Sequence, residues 1–375
     1  MNEKKRIFVI AGEPSGDQHA AEYIKKHADM NPNIIFDAFG QNDIKKTNAN
    51  LIYDTEKISV IGIIEVVLRY RQIYQALNIA KEYIKNEKPN LIVLVDYIEF
   101  NLKVAKYARN LGIPVLFYIA PQVWAWREKR AKKFVQATNH LAVIFPFEEN
   151  YFKKYTNNVT YVGHPLSKVS GLTDSVKDYD QRNIDLGLFP GSRESEIKNN
   201  LHQMIDCVQK NKKETIRLFY ANETTKNIMK KLLPPEYHNL LASGKDLNMV
   251  SNCKKALCAS GTITLQLAML EVPMIIMYKL SYLSYLIMKS LIKIKYIGLV
   301  NLVLGNSIGS QPIVKEFIQP SYSDQVDIMV ELNRIDQDES YRKSISDNYK
   351  LIKNKLSVEP KEDLSSLADK MLDII

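Results

Sequence analysis

Short apolar runs rich in Val, Ile and Tyr alternate with longer amphipathic stretches along the whole chain. Continuous apolar runs of this length are typical of strands that are buried on both faces, as in parallel sheets. Between them lie helical patterns such as residues 66–85, in which apolar residues recur at helical spacing. In the first half the predicted strands cover residues 7–11, 34–39, 91–96, 115–119, 141–145 and 159–162.

The pattern restarts near residue 183. A strand predicted at 184–189 leads into Pro190-Gly191-Ser192-Arg193 and a helix. Two successive strand–loop–helix series predict an α/β fold with two Rossmann-like doubly wound domains that face each other across a cleft. The further predicted strands cover residues 215–220, 248–251, 256–259 and 274–278. The predicted domains are 1–170 and 171–345, followed by a C-terminal helical segment at 346–375, with a linker at 167–180.

A surplus of positive charge narrows the kind of partner. The 375 residues include 51 Lys and Arg against 42 Asp and Glu, which gives a net charge of +9. Hydrophobic residues at 46% and charged residues at 25% fit a packed protein and exclude a disordered, collagenous or coiled-coil chain. The surplus favours nucleic acid, a phosphorylated metabolite or an anionic bilayer as partner, although general solubility explains it equally well.

Cysteine usage favours a reducing compartment, and hydropathy argues against a secretory signal and a transmembrane segment. Cys207, Cys253 and Cys258 are too few for a disulfide framework. The apolar run 7–11 is too short for the core of a secretory signal, and lysines interrupt the most hydrophobic stretch, 274–304. A spanning helix needs about 20 mostly apolar residues, so no transmembrane segment is expected.

The turn after the first predicted strand combines glycines with carboxylates. Gly12-Glu13-Pro14-Ser15-Gly16-Asp17 begins a helix, where free backbone N–H groups suit an anion or a sugar hydroxyl. An ordinary β–α turn would have a similar composition. Glu13 and Asp17 in this turn nevertheless favour a functional site. A site that binds only phosphate would avoid carboxylates, so these two residues indicate a further role.

A second carboxylate ends the strand predicted at 91–96, at the edge where ligands bind in open α/β sheets. There Asp96 can act as a general base toward a sugar hydroxyl. Alternatively, Asp96 caps the following helix and Glu99 completes a capping box, and both roles are compatible.

Both tryptophans of the protein lie close together within residues 118–130. One of Trp124 and Trp126 is expected to anchor the core beneath the first sheet. The other is expected at the cleft, where it could stack on a sugar or an acyl chain.

Two predicted helix starts in the second half carry small residues. Gly191-Ser192-Arg193 and Ser260-Gly261-Thr262 together predict a pyrophosphate site, with backbone donors, two helix dipoles and an Arg fork. His164 stands alone, and a lone His is more often structural than catalytic. No His, Cys or carboxylate cluster has metal-ligand spacing, so neither a metal nor another cofactor is expected.

The pattern of residues 280–296 predicts an amphipathic helix. Its polar face carries Tyr282, Tyr285, Lys289 and Lys293 and no acidic residue. Aromatic and Lys side chains next to an apolar face suit a bilayer interface. Packing of this helix on its own domain would explain the same pattern, so both interpretations stay open.

Eight short motifs occur along the chain in a fixed order. They are AGEPSGD at 11–17, IGIIEV at 61–66, PQVWAWR at 121–127, FPFE at 145–148, VGHPL at 162–166, PGSR at 190–193, SGT at 260–262 and KEFIQ at 315–319. This ordered set, above all the VWAW block, resembles that of the lipid-A-disaccharide synthase family, membrane-associated glycosyltransferases of the GT-B fold.

The resemblance implies that UDP-2,3-diacylglucosamine donates its sugar, with inversion, to 2,3-diacylglucosamine 1-phosphate (lipid X). The products would be lipid A disaccharide 1-phosphate and UDP. Asp96 matches the family's essential aspartate and would deprotonate the acceptor hydroxyl, with Glu13 in the same site. UDP would bind the second domain at Arg193 and the 260–262 turn, without a metal. The enzyme would lie on the anionic cytoplasmic face of the inner membrane, and a homodimer is an open alternative.

The chain departs from the family pattern at several positions. The family's usual Asp-Ala-Pro-Asp-Phe-Asn is here the run 96–101, DYIEFN, in which Glu99 replaces the second aspartate. The ribose-binding Glu common in GT-B enzymes is here Gln266. Asn301 best matches the family's Asn before the Glu-x-x-Gln element, with Asn306 as its rival. That element supplies two further UDP-site candidates, Glu316 and Gln319.

Two other functions stay open from the sequence alone. A UDP-sugar 2-epimerase or a transferase acting on a polyprenyl-linked sugar would share the fold. A basic binding module for nucleic acid or membrane would share the charge. Nucleic acid is the least favoured partner, because the lysines are scattered and no reader motif is present.

Overall fold

The computed structural model describes residues 4–58, 69–120, 128–172, 174–208, 214–279, 296–305, 312–321 and 324–373. The chain divides into two compact units. Unit 1 comprises Met1–Pro165 with Ser357–Ile375, and unit 2 comprises Leu166–Leu356. Residues 346–375, which the sequence sets apart as one segment, are thus divided between the two units.

Unit 1 contains a parallel sheet. Its strands are β1 (Lys5–Ala11), β2 (Ile34–Gly40), β3 (Asn50–Asp54), β4 (Leu91–Val95), β5 (Val115–Tyr118), β6 (His140–Val143) and β7 (Val159–Tyr161). Their spatial order is β3-β2-β1-β4-β5-β6-β7. Phe8, Ile92 and Phe117 on these strands are completely buried, so burial of apolar surface holds the layers together.

Unit 2 contains a second parallel sheet. Its strands are β8 (Ile184–Phe189), β9 (Ile216–Tyr220), β10 (Leu241–Ser243), β11 (Cys253–Cys258), β12 (Met274–Tyr278) and β13 (Glu316–Ile318). Their spatial order is β10-β9-β8-β11-β12-β13. Leu186, Leu257 and Met277 are completely buried in the core between this sheet and its helices.

Helices connect the strands and cover the sheets. In the described ranges they are α1 (Pro14–Met30), α2 (Tyr70–Glu87), α3 (Ile98–Asn110), α4 (Glu128–Ala137), α5 (Pro146–Phe152), α6 (Glu194–Val208), α7 (Glu223–Leu232), α8 (Leu247–Ser251), α9 (Thr262–Met269), α10 (Leu299–Gly305), α11 (Asp324–Gln337), α12 (Glu339–Leu356) and α13 (Leu364–Met371). Short 3-10 turns occupy Ile44–Lys46, Thr55–Lys57, Pro165–Lys168, Tyr179–Gln181 and Pro235–Leu240.

Each sheet has a point at which the strand order reverses. In unit 1 the chain builds outward from β1 to β3 and then continues on the other side of β1 with β4. In unit 2 it builds outward from β8 to β10 and continues on the other side of β8 with β11. Open α/β sheets bind ligands at this reversal, beyond the carboxyl ends of the strands. A ligand-binding site is therefore expected at the turns after β1, β4, β8 and β11.

The predicted α/β class with two doubly wound parallel sheets is confirmed. The strand predicted at 248–251 is wrong, because these residues belong to the helix α8. The side chain of Asp246 caps that helix by accepting a hydrogen bond from the backbone N of Met249 at 3.0 Å. The sequence also misses β3, β10 and β13, since short strands with polar residues lack a continuous apolar run.

Candidate active site

In unit 1 the turn after β1 lies directly against the turn after β4. A Cβ atom on Gly12 would lie 2.1 Å from the ring of Tyr97, and one on Gly16 would lie 3.7 Å from Cβ of Asp96. Position 12 therefore needs glycine, because any side chain there would occupy the space of the Tyr97 ring. The structure thus brings together the two turns that carry the predicted catalytic residues, Glu13 and Asp96.

The turn after β4 has an uncommon backbone. Asp96 and Tyr97 have φ angles of 49° and 46°, and a left-handed conformation costs a non-glycine residue roughly 1–2 kcal/mol. The amide of Asn101, which is completely buried, donates to the carbonyl of Asp96 at 2.8 Å and to that of Val95 at 3.3 Å. These two hydrogen bonds hold the strained turn and fix where the Asp96 side chain begins.

Tyr97 connects this turn to its surroundings. Its hydroxyl donates to the carbonyl of Ile58 at 2.9 Å, and its ring stacks on Phe100 with centroids 5.3 Å apart. Burial, together with the nearby Glu13 carboxylate, raises the pKa of Tyr97, so the phenol is neutral at ordinary pH. Tyr97 therefore acts as a fixed apolar wall beside Asp96.

The remaining predicted residues of the first-domain loop have different environments. Asp17 is buried and accepts hydrogen bonds from the backbone N of Gln41 at 2.5 Å and of Asp43 at 2.7 Å. Burial raises the pKa of Asp17, although these bonds oppose the shift. Its contacts tie α1 to the loop after β2, which is a structural role. Ser15 is half-buried in the first turn of α1, and Glu99 is exposed in the first turn of α3.

His164 is buried at the end of unit 1's main segment and packs on the ring of Phe145, with centroids 5.0 Å apart. Burial and the neighbouring His19 lower the pKa of His164 to about 3. Burial also lowers the pKa of His19 to about 4. Both imidazoles are therefore neutral near pH 7, and the packing of His164 fits the structural role that its isolation in the sequence favours.

Several predicted residues lie outside the described residues. They are Trp124, Trp126, Tyr282, Tyr285, Lys289, Lys293 and Asn306.

In unit 2 the turn after β8 is organised by a carboxylate. Glu196, which is buried in the first turn of α6, accepts hydrogen bonds from the backbone N of Ser192 at 2.9 Å and from Nη1 of Arg193 at 2.8 Å. Gly191 has φ 132°, and a Cβ atom there would lie 2.5 Å from Cβ of Glu196. The turn thus presents Arg193 in a fixed position, but its Ser192 N–H is already used within the protein.

Sequence reasoning missed Glu196. A usable signal was present, because acidic side chains in the first turn of a helix commonly accept hydrogen bonds from free backbone N–H groups.

The turn after β11 lies beside the turn after β8, since these two strands are neighbours. Gly261 has φ 157°, and the hydroxyl of Ser260 donates to the carbonyl of Ile297 at 3.0 Å. Thr262 is exposed and begins α9, so the start of this helix points to the same edge of the sheet. The two turns together offer helix N-termini and one guanidinium, which suits a diphosphate.

Gln266 lies one turn into α9. Its Nε2 donates to the carbonyl of Gly244 at 3.1 Å, in the loop after β10. A Glu side chain could not make this bond, because a carboxylate has no donor. The Gln found here is therefore matched to its surroundings.

Asn301 forms a complete set of internal hydrogen bonds. Its Nδ2 donates to the carbonyl of Val314 at 2.9 Å and to Oε1 of Glu316 at 2.6 Å, and its Oδ1 accepts from the backbone N of Ile313 and Val314 at 2.8 and 3.1 Å. Two donors and two acceptor positions are all that an amide has. Asn301, predicted as a UDP contact, is thus saturated within the protein.

Glu316 is used in the same way. Besides Asn301, its carboxylate accepts from the backbone N of Ile297 at 2.8 Å and of Gly298 at 3.0 Å. Burial raises the pKa of Glu316, although these hydrogen bonds oppose the shift. Asn301 and Glu316 together connect residues 297–301 to residues 313–316 by hydrogen bonds within the protein. Gln319, with φ 55°, directly follows β13 at that edge.

In the described part of the chain, no group of three or more His, Cys, Asp or Glu residues is arranged to hold a metal ion. Among the same residues, no helix is long and apolar enough to cross a membrane.

Solved structures with the same architecture show the class of fold. The glycotransferase of kitacinnamycin matches with a TM-score of 0.58, 11% identity and coverage of 98% of this chain and 99% of that one. A UDP co-structure of S. aureus MnaA matches with a TM-score of 0.55, 12% identity and coverage of 99% and 98%. With two doubly wound parallel sheets, the protein has the GT-B fold.

Sequence comparison gives the family. A family model described as lipid-A-disaccharide synthetase matches residues 7–371. The lipid-A-disaccharide synthase of Nitrosococcus oceani is 31% identical over 389 residues, covering 99% of this chain and 97% of that protein. That of Geobacter metallireducens is 33% identical over 328 residues, covering 84% of each chain. This chain belongs to the lipid-A-disaccharide synthase family and is a glycosyltransferase.

Proposed function

We propose that this enzyme transfers the sugar of UDP-2,3-diacylglucosamine to lipid X, giving lipid A disaccharide 1-phosphate and UDP. Family membership supports the reaction. The arrangement that carries the proposal in the structure is the pair of turns after β8 and β11, with Arg193 held beside two helix N-termini. This arrangement suits the diphosphate of a nucleotide sugar.

Asp96 is the proposed general base. It takes the proton of the acceptor hydroxyl as that oxygen attacks the anomeric carbon of the donor, and the bond from this carbon to the UDP oxygen breaks. Attack from the face opposite UDP inverts the anomeric configuration. Arg193 and the helix N-termini of unit 2 stabilise the charge on the departing UDP, so the step needs no metal.

Replacing Asp96 by Asn tests the proposed base. With both acylated sugars supplied, we expect UDP release to slow by about 10²–10⁴-fold, because a positioned base contributes that much to a rate. Asp29→Asn, an exposed carboxylate near the end of α1, is the matched control and should keep full activity. A rate for Asp96→Asn within twofold of the unaltered enzyme would remove this residue from the mechanism.

Chelation tests the metal-free mechanism. Adding EDTA to the assay should leave the rate unchanged, measured as UDP released per enzyme. Loss of activity that is restored by adding a divalent cation would contradict the proposal.

Supplying UDP-N-acetylglucosamine alone tests the alternative function, that of a UDP-sugar 2-epimerase. An epimerase would convert this compound, whereas the proposed transferase would not.

We further propose that the enzyme works at the anionic cytoplasmic face of the inner membrane. The net charge of +9 and the acylated substrates support this location. Lys289→Glu with Lys293→Glu should weaken sedimentation with anionic vesicles, and unchanged binding would remove residues 280–296 from the argument. Analytical ultracentrifugation will distinguish a homodimer from a monomer.

A further inference from the structure

Lys279 lies at the same strand edge as the proposed UDP site. It directly follows β12, whose last residue Tyr278 pairs with Ile318 of β13, so Lys279 is level with Gln319. Strand β12 is the neighbour of β11, which carries the 260–262 turn. Lys279 is half-buried at this edge.

Two side chains of α6 hold Lys279. The backbone N of Lys279 donates to Oδ1 of Asn200 at 3.1 Å, and its Nζ donates to Oε1 of Gln203 at 3.1 Å. Asn200, which is completely buried, also donates to the carbonyl of Pro190 at 3.1 Å. Since Pro190 begins the turn that carries Arg193, one buried amide fixes both cation-bearing segments.

The ammonium group of Lys279 pairs with an amide rather than with a carboxylate. Among the buried and partly buried lysines of unit 2, Lys254 pairs with Asp185, Lys255 with Glu214 and Lys353 with Glu271, whereas Lys355 donates to the carbonyl of Val303 at 3.2 Å. Among the residues that the structure describes, Lys279 has a neutral side-chain partner and no acidic one. An anion would stabilise this half-buried cation. The ammonium group has three N–H donors, and the two that do not bond Gln203 can donate to such an anion.

We propose that Lys279 binds a phosphate group of the substrates and is the second cation of the site, besides Arg193. The inference rests on the proposed function and extends it. Phosphate oxygens reach this edge from two sources, the diphosphate of the donor and the 1-phosphate of the acceptor. In either case Lys279 contributes a charge-assisted hydrogen bond from a side chain that α6 has already ordered.

Isothermal titration with UDP and with uridine tests the assignment. Lys279→Gln should raise the Kd for UDP about tenfold, because a hydrogen bond to a charged group is lost, and leave the Kd for uridine within twofold. Lys279→Arg should retain most of the UDP affinity. Lys231→Gln, which removes an exposed positive charge from the same unit, is the matched control.

Steady-state kinetics with both acylated sugars distinguish the two sources of phosphate, the donor diphosphate and the acceptor 1-phosphate. Unchanged UDP binding together with a raised KM for lipid X would assign Lys279 to the acceptor phosphate and support the inference. Wild-type values for both quantities in folded Lys279→Gln would overturn it. If the unaltered enzyme does not bind UDP at all, the proposed function fails and this inference fails with it.

Discussion

Nη1 of Arg193 lies 2.8 Å from Oε1 of Glu196, which belongs to the first turn of α6. This ion pair restricts the positions that the guanidinium can take. An Arg side chain has considerable rotamer freedom, which binding of a phosphate would have to remove. Because Glu196 is buried and accepts from Arg193 and from Ser192 N, much of that ordering is complete before a ligand arrives. The carboxylate of Glu196 also offsets part of the positive charge of Arg193.

A double-mutant cycle tests this positioning role. Glu196→Ala should weaken UDP binding about tenfold on its own and have almost no further effect when Arg193→Ala is already present. Glu194→Ala, which removes an exposed carboxylate from the same turn, is the control. Titration calorimetry provides the four affinities. Additive losses would mean that Glu196 acts through helix stability and not through Arg193.

The exchange at Gln266 leads to a second expectation at this scale. Restoring the common acid with Gln266→Glu should weaken UDP binding by about three- to tenfold, because a carboxylate oxygen would face the Gly244 carbonyl without a proton between them. Gln337→Glu, an exposed exchange at the end of α11, controls for the added charge. Tighter UDP binding by Gln266→Glu in a calorimetric titration would show that the ribose contact outweighs the lost bond.

At the scale of elements, the buried side chain of Asn101 stabilises the β4–α3 connection. Asn101 reaches back from α3 to the carbonyls of Val95 and Asp96, and so stabilises a left-handed pair of residues in front of the helix. Strain of this kind persists only where surrounding contacts over-determine it.

Asn101→Ala should therefore lower kcat about 10- to 100-fold while the KM for the donor changes little, since the proposed base Asp96 would be misplaced and the proposed UDP site would remain intact. Steady-state kinetics give the two constants separately. Asn110→Ala, an exposed exchange at the end of α3, should leave both unchanged. An effect of Asn101→Ala confined to KM would contradict a positioning role.

The same scale shows where local patterns fail. The composition of residues 248–251, which include Met and Val, predicts a strand, yet these residues form part of the helix α8, which Asp246 caps. The strands β3, β10 and β13 are short and belong to the outer part of each sheet, so neighbouring strands stabilise them more than their own composition does.

Across the whole molecule, the chain returns to unit 1 through α13. Asp369 of this helix lies 2.7 Å from Nε2 of His27 and accepts from the amide of Asn31, and His27 also contacts the hydroxyl of Tyr23 at 2.9 Å. His27 is completely buried, so this network closes unit 1 with residues more than three hundred positions apart.

Asp369→Ala should lower the free energy of unfolding by about 2–4 kcal/mol, because it leaves buried polar partners unpaired. Urea unfolding followed by circular dichroism measures the change. Glu359→Ala, at an exposed position of the same C-terminal segment, should change it by less than about 0.5 kcal/mol. A loss as small as that for Asp369→Ala would show that α13 is held by its apolar contacts alone.

Most of the fold and the glycine-bearing turns at the strand reversals follow from the sequence. The alternation of apolar runs and helices is local, and so is the placement of Gly, Ser and Asp just after a strand, which is why the reversal-point turns and Asp96 are predictable. The ordered motifs identify the family for the same reason.

Only the tertiary structure shows which polar groups are already used. Asn301 and Glu316 match the family pattern but satisfy each other and nearby backbone groups, and Asp17 ties α1 to the loop after β2. Conversely, Lys279 is unremarkable in the sequence, and its contacts with Asn200 and Gln203 form between groups more than seventy positions apart. Hydrogen-bond saturation depends on the positions of groups distant in the chain, whereas apolar periodicity depends on neighbours. The sequence by itself therefore determined the architecture, and only the tertiary structure decided which polar side chains are saturated within the protein.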